Sequence, residues 1–211
     1  MKPVPARGLL LAALVAGGSF LLPVWEGWQG PAVVAWKGAG VALLALWALR
    51  QARSADRRVI AAVLACGAAG DVLLEVAGLV PGALAFLLGH VLAIRLYRRH
   101  AARGWPLVAG AGLLVAVASG LLASDLGVAL YALALGAMAG AASASRFPAA
   151  VAAGAWMFVA SDLLIFARLG AVAEGRAVDL AVWGLYFAGQ ALIAHGVVTS
   201  LRRDDHLHHR L

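Results

Sequence analysis

A single cysteine, Cys66, in a chain of 211 residues leaves no partner for an internal disulfide and no paired-thiol metal or redox motif. A buried, inert thiol is expected there. Charge is scarce too: Asp, Glu, Lys and Arg make up 13% of the chain, about half the share of an ordinary soluble domain, roughly 25%. Neither a GxSxG elbow nor an HExxH pair occurs, so the common serine-hydrolase and zinc-protease signatures are missing. Ser161 has no matched His and acid around it.

Apolar residues dominate instead, at 64% with a mean hydropathy of +0.91. Runs of about 20 apolar residues, enough to cross the hydrocarbon core, recur along the chain. They predict an all-α, polytopic membrane helix bundle in one integral membrane domain over residues 1–211, with eight transmembrane helices. The spans are expected near 8–25, 32–49, 59–79, 82–97, 106–123, 126–145, 148–168 and 179–200. A transmembrane barrel needs polar/apolar alternation in segments of about ten residues, which Leu9 to Val15 and Val41 to Leu49 lack. The first span has a basic flank like a signal peptide, but no small-x-small cleavage pattern closes it cleanly before Trp25 and seven spans follow, so it is read as a helix.

A net charge of +7 raises the question of nucleic acid, and the placement of the charges answers it. Lys2, Arg7, Arg50, Arg53, Arg57, Arg58, Arg98, Arg99, Arg103, Arg146, Arg202, Arg203 and Arg210 fall on one side of the predicted spans, and Arg168 and Arg176 on the other. By the positive-inside rule both termini are cytoplasmic, which requires an even number of spans. The bases are therefore an orientation signal in a multi-pass protein of a bacterial inner (plasma) membrane, and no nucleic-acid partner is expected. Trp25, Trp28, Trp36, Trp105 and Trp183 lie near span ends, where an amphipathic ring suits the headgroup region. The tail Asp204 to His209 reads as a solvated end.

Three carboxylates, Asp71, Glu75 and Asp162, lie within this apolar chain. Each costs about 2.5–3.5 kcal/mol on insertion scales if left in lipid, so such groups face a protein interior and mark a site. Counting 1.5 Å per residue puts Asp71 roughly 18 Å from the cytoplasmic start of span three and Asp162 roughly 21 Å into span seven. Lys37, His90, Tyr186 and Gln190 fall at about the same level from spans two, four and eight. Facing agrees: Gly67, Gly70, Asp71, Leu74, Glu75 and Gly78 form a small-and-polar stripe on span three, and Gly154, Phe158, Ser161, Asp162 and Ile165 one on span seven. Gly70-Asp71-Val72-Leu73-Leu74 also resembles Ser161-Asp162-Leu163-Leu164, and Gly89-His90-Val91-Leu92 resembles Gly189-Gln190-Ala191-Leu192. A parallel 4+4 internal repeat is the expectation that follows.

The blocks Gly70 to Leu74, Phe86 to His90, Gly154 to Asp162 and Tyr186 to Gln190 resemble the GD…GH…GAxxFxxSD…YxxGQ signature of the YhhN-like family, which includes lysoplasmalogenases. Members carry a Lys-Pro pair in the second span, whereas Lys37 here precedes Gly38. The resemblance implies hydrolysis of the vinyl ether bond of a lysoplasmalogen, a lysophospholipid, to a fatty aldehyde and glycerophosphoethanolamine or glycerophosphocholine. An enol ether is opened by acid: a proton added to the alkenyl carbon gives an oxocarbenium ion that water captures. Such a route asks for one protonated and one ionised carboxyl group, as in glycosidases. Asp71 and Asp162 are the expected catalytic pair, with Lys37 tuning charge or meeting the phosphate, His90, Tyr186 and Gln190 orienting water or substrate, and Glu75 and Ser161 in support. No cofactor is expected. A metal site from His90, Asp71 and Glu75 is the weaker alternative, and a proton-coupled transporter using the same carboxylates is the rival function.

Overall fold

The computed structural model describes residues 6–169 and 175–208, with side chains through Arg203; Lys2 and the tail expected to be solvated lie outside the described side chains. All described regular elements are helices, and eight stretches are long and apolar enough to cross a membrane. The first consists of α1 (Ala6–Ser19) and α2 (Leu21–Glu26). Then follow α3 (Pro31–Arg50), α4 (Ala55–Val76), α5 (Leu79–Arg99), α6 (Trp105–Ala123), α7 (Leu126–Ala144), α8 (Ala149–Arg168) and α9 (Arg176–His208). The all-α membrane bundle is thus present. Its helices define two faces: a terminal face, where α1 begins and α9 ends, and a mouth face, where α3, α5, α7 and α9 begin.

The break inside the first span has a local cause. Pro23 has no N–H to donate and its ring crowds the carbonyl four residues back, at Ser19, so the helix bends there. The last carbonyls of α1 then lack intrahelical partners. Two tryptophans supply them: the Trp36 indole N–H donates to the Ala16 carbonyl at 3.0 Å and the Trp183 indole N–H to the Gly17 carbonyl at 2.8 Å. Trp183 is buried and Trp36 half-buried, so neither is the headgroup anchor expected from its position near a span end. Trp25, Trp28 and Trp105 are exposed, as an anchor must be.

Two boundaries of α4 differ from the expected 59–79. The Ser54 hydroxyl caps the helix by accepting the Arg57 N–H, which moves its start to Ala55. At the other end Gly78 takes φ of +93°, a conformation glycine reaches without strain, and the chain turns there into α5. Asp71 consequently lies only five residues from the mouth end of its helix.

Helices α3, α4, α5, α7, α8 and α9 pack one against the next in a closed circuit, with α1 outside α3 and α9 and α6 outside α7 and α8. The core runs through the middle of this circuit and includes Val41, Leu64, Leu96, Leu135, Val151 and Val197, all fully buried. Cys66 is half-buried rather than buried.

Candidate functional site

Every helix of the circuit sends one polar side chain or more toward the interior: Lys37 from α3, Asp71 from α4, His90 from α5, Tyr131 from α7, Asp162 from α8, and Tyr186 and Gln190 from α9. Lys37, Asp71, Tyr131 and Asp162 are five or six residues from the mouth ends of their helices, about 8–9 Å of rise. The site therefore sits in the mouth half of the bundle, nearer one surface than the mid-level expected from the predicted span ends.

Tyr186 is deeper, ten residues below the start of α9, or about 15 Å. Side chains lean toward the N-terminus of their own helix. On α9 that direction is up toward the mouth, while on the antiparallel α4 it is down. Tyr186 and Asp71 therefore meet, and the phenol donates to Asp71 Oδ2 at 2.8 Å. Asp162 is served in the same way by a residue not anticipated from sequence: the Tyr131 hydroxyl donates to Asp162 Oδ2 at 2.9 Å. His90 Nε2 lies 3.1 Å from the same Tyr131 oxygen. Both aspartates are almost wholly buried, at 3% and 7% exposure.

Aromatic packing holds the two tyrosines in register. The Phe158 ring stands edge-on to Tyr186, Phe86 and His90, at centroid distances of 5.0, 5.9 and 5.2 Å. His90 in turn packs edge-on against Tyr131 at 5.5 Å. Phe158 thus braces the partner of Asp71 directly and that of Asp162 through His90. At Gly67 an added Cβ would stand 2.8 Å from Gln190 Nε2 and 3.3 Å from Tyr186 Oη, so the bare backbone of α4 seats both groups.

The remaining expected site residues divide. Lys37 bonds Glu75 at 2.6 Å, one turn toward the mouth from Asp71. Gly38, where family members have proline, packs against Val72: an added Cβ would come within 2.7 Å of Val72 Cγ2. The Ser161 hydroxyl donates to the Val182 carbonyl at 3.0 Å, tying α8 to α9. His90 is turned to Tyr131 and Glu75 to Lys37, and among the described residues no three His, Cys, Asp or Glu side chains come together as a metal site. The structure does not bring His90, Asp71 and Glu75 together as one ligand set.

Above the aspartates a cleft of about 1010 Å³ opens to the mouth face, at the upper end of the roughly 300–1,000 Å³ of ligand sites. Asp71, Asp162, Tyr186 and the Phe86 and Phe158 rings line its inner end, Val24, Val33 and Val34 its apolar flank, and Lys37, Glu75, Arg168 and Asp179 its mouth. The bend at Pro23 brings α2 into this wall. The arrangement suits an amphiphile: apolar surface for a chain, charges at the opening, and two buried carboxyl groups, each held by one oxygen.

No curated protein and no solved structure matches this chain. A model of the YhhN family matches residues 32–197, a stretch that contains every polar group of the circuit. This chain belongs to the YhhN family.

Proposed function

We propose that the protein hydrolyses the vinyl ether bond of lysoplasmalogens, releasing a fatty aldehyde and glycerophosphoethanolamine or glycerophosphocholine. The observation that carries this reading is the pair of buried aspartates at the inner end of one amphiphile-sized cleft, each holding a tyrosine hydroxyl. One aspartic acid donates its proton to the alkenyl carbon and the adjacent ether carbon becomes an oxocarbenium centre. Water adds to that centre and passes a proton to the other, ionised aspartate. The hemiacetal then collapses, its hydroxyl proton moving to the glycerol oxygen as the C–O bond breaks. Substrate and water balance to aldehyde and alcohol, and each aspartate ends in the state its partner began in, so exchange of one proton resets the site.

The basic residues flank the terminal face, so by the positive-inside rule that face is cytoplasmic and the cleft opens on the other side of a plasma membrane. Tyr131 and Tyr186 position the carboxyl groups. Removing a hydrogen bond to a charged group costs about 1.5–3 kcal/mol. Tyr131→Phe is therefore expected to lower kcat about tenfold or more with KM near wild type, measured as aldehyde formation in detergent micelles. A variant at wild-type rate would remove Tyr131 from the mechanism.

The reading itself is tested by giving purified protein a lysoplasmalogen and, separately, its saturated 1-O-alkyl analogue. Aldehyde is expected from the first alone, because only the alkenyl carbon accepts the proton. Substrate-dependent proton movement into sealed vesicles without bond cleavage would replace hydrolysis by transport.

A further inference from the structure

The mouth of the cleft carries two ion pairs with a common layout. Lys37 bonds Glu75 across α3 and α4, and Arg168 bonds Asp179 across α8 and α9. In each pair the cation is the more enclosed partner: Lys37 and Arg168 side chains are 20% and 22% exposed, against 44% and 42% for Glu75 and Asp179. From protein to solvent, the order of exposure is therefore buried aspartates, cations, then carboxylates.

That order matches one class of ligand. In a glycerophospholipid with an amino-alcohol headgroup, the sn-1 ether is followed by the phosphate and then by the ammonium. The ether oxygen and the phosphorus are five bonds apart, comparable with the roughly 6 Å rise from Asp71 to the level of Glu75, where Lys37 Nζ lies 2.6 Å from the Glu75 carboxylate. We propose that Lys37, Glu75, Arg168 and Asp179 form a collar that reads a zwitterionic headgroup, the two cations taking the phosphate and the two carboxylates the ammonium. This rests on the proposed lysoplasmalogen reading and adds what the mouth selects.

Charge conservation is the reason the collar discriminates. Its four charges sum to zero. A zwitterion adds no net charge, so the occupied mouth stays neutral as a whole, with one phosphate shared by the two cations and one ammonium by the two carboxylates. A lipid ending in a bare phosphate brings two negative charges and no ammonium. It would displace Glu75 and Asp179 from their cations and leave both facing an anion. An alkylglycerol without a headgroup leaves the pairs closed and gains nothing from them. Arg168 matters most on the α8 side because its planar guanidinium meets two phosphate oxygens at once.

Binding of non-cleavable 1-O-alkyl lipids, followed through the tryptophan fluorescence of the cleft, separates this proposal from catalysis. Three ligands of one chain length are compared in maltoside micelles: one with a phosphoethanolamine headgroup, one ending in phosphate, and one with free glycerol. Wild type is expected to prefer the first over each of the others about tenfold or more. Arg168→Gln should erase the preference over free glycerol. Glu75→Gln with Asp179→Asn should invert the order between phosphoethanolamine and terminal phosphate. Arg168→Lys keeps the charge and should retain part of the preference, which distinguishes a lost contact from a misfolded helix end. Equal wild-type affinity for all three, or variants that weaken all three in parallel, overturns the collar. Aldehyde release is not the readout, so failure of hydrolysis and failure of the collar are told apart.

Discussion

Asp162→Asn is expected to reduce aldehyde release by about 10²–10⁴-fold, and Asp71→Asn by a similar factor, because each substitution removes one half of a proton-transfer pair. Asparagine has nearly the shape of aspartate, and its amide oxygen still accepts the tyrosine O–H that holds each carboxyl group. What it loses is the ability to give or take a proton. Folding should be little disturbed, since removing a buried charge lowers a desolvation cost. A thermal midpoint near wild type together with a collapsed rate is the expected pairing. The double variant should be little worse than the worse single one, as for groups that act as a unit. Full rate in both single variants would end the carboxylate mechanism.

Gly189→Val should damage the fold severely while touching none of the reacting groups. A Cβ at Gly189 would stand 2.6 Å from the Gly154 carbonyl oxygen, and one at Gly154 equally close to that of Gly189. The obstructing atoms are backbone, so no side chain can yield, and α8 and α9 must separate. Small residues at a helix crossing are how membrane helices approach closely enough to hold together by packing. Overpacking of this kind costs about 1–3 kcal/mol, and at this chain length each kcal/mol lowers the midpoint by about 2–4 °C. The same separation would pull Ser161 from Val182 and shift α9, which carries Tyr186, so activity should fall with stability. Gly184, on the same helix with open space around it, is the control: Gly184→Ala should hold or raise the midpoint, since alanine is the better helix former by about 1 kcal/mol. A Gly189→Val protein that melts with wild type would show that the crossing is not tight.

The polar residues of the circuit were legible to different degrees. Asp71 and Asp162 stand out because a carboxylate in an apolar run has no other inexpensive explanation. Tyr131 was missed, although it lies at the aspartates' level, five residues inside α7. A lone tyrosine in an apolar span carries little signal by itself. Tyr97 is fully buried, more so than Tyr131, and belongs to the core rather than to the aspartate pair. Trp36 and Trp183 show the converse error: their place near span ends matched an interfacial anchor, but the bend at Pro23 left carbonyls that needed donors. Glu75 looked like a third buried acid, and the early end of α4 places it at the cleft mouth opposite Lys37.

The class of the molecule was written in its sequence. A hydrocarbon environment leaves unpaired backbone groups no solvent, so long apolar runs must become helices whose hydrogen bonds close internally. The few ionisable groups within them must turn toward protein. Which group each one meets was decided only by the tertiary structure. An error of a few residues at a helix end shifts depth by several ångströms and rotates a side chain by a few hundred degrees, whereas a hydrogen bond tolerates a few tenths of an ångström. Helix crossings at bare glycines and one proline bend set those last distances. Gly67 on α4, for one, seats the Tyr186 hydroxyl that donates to Asp71.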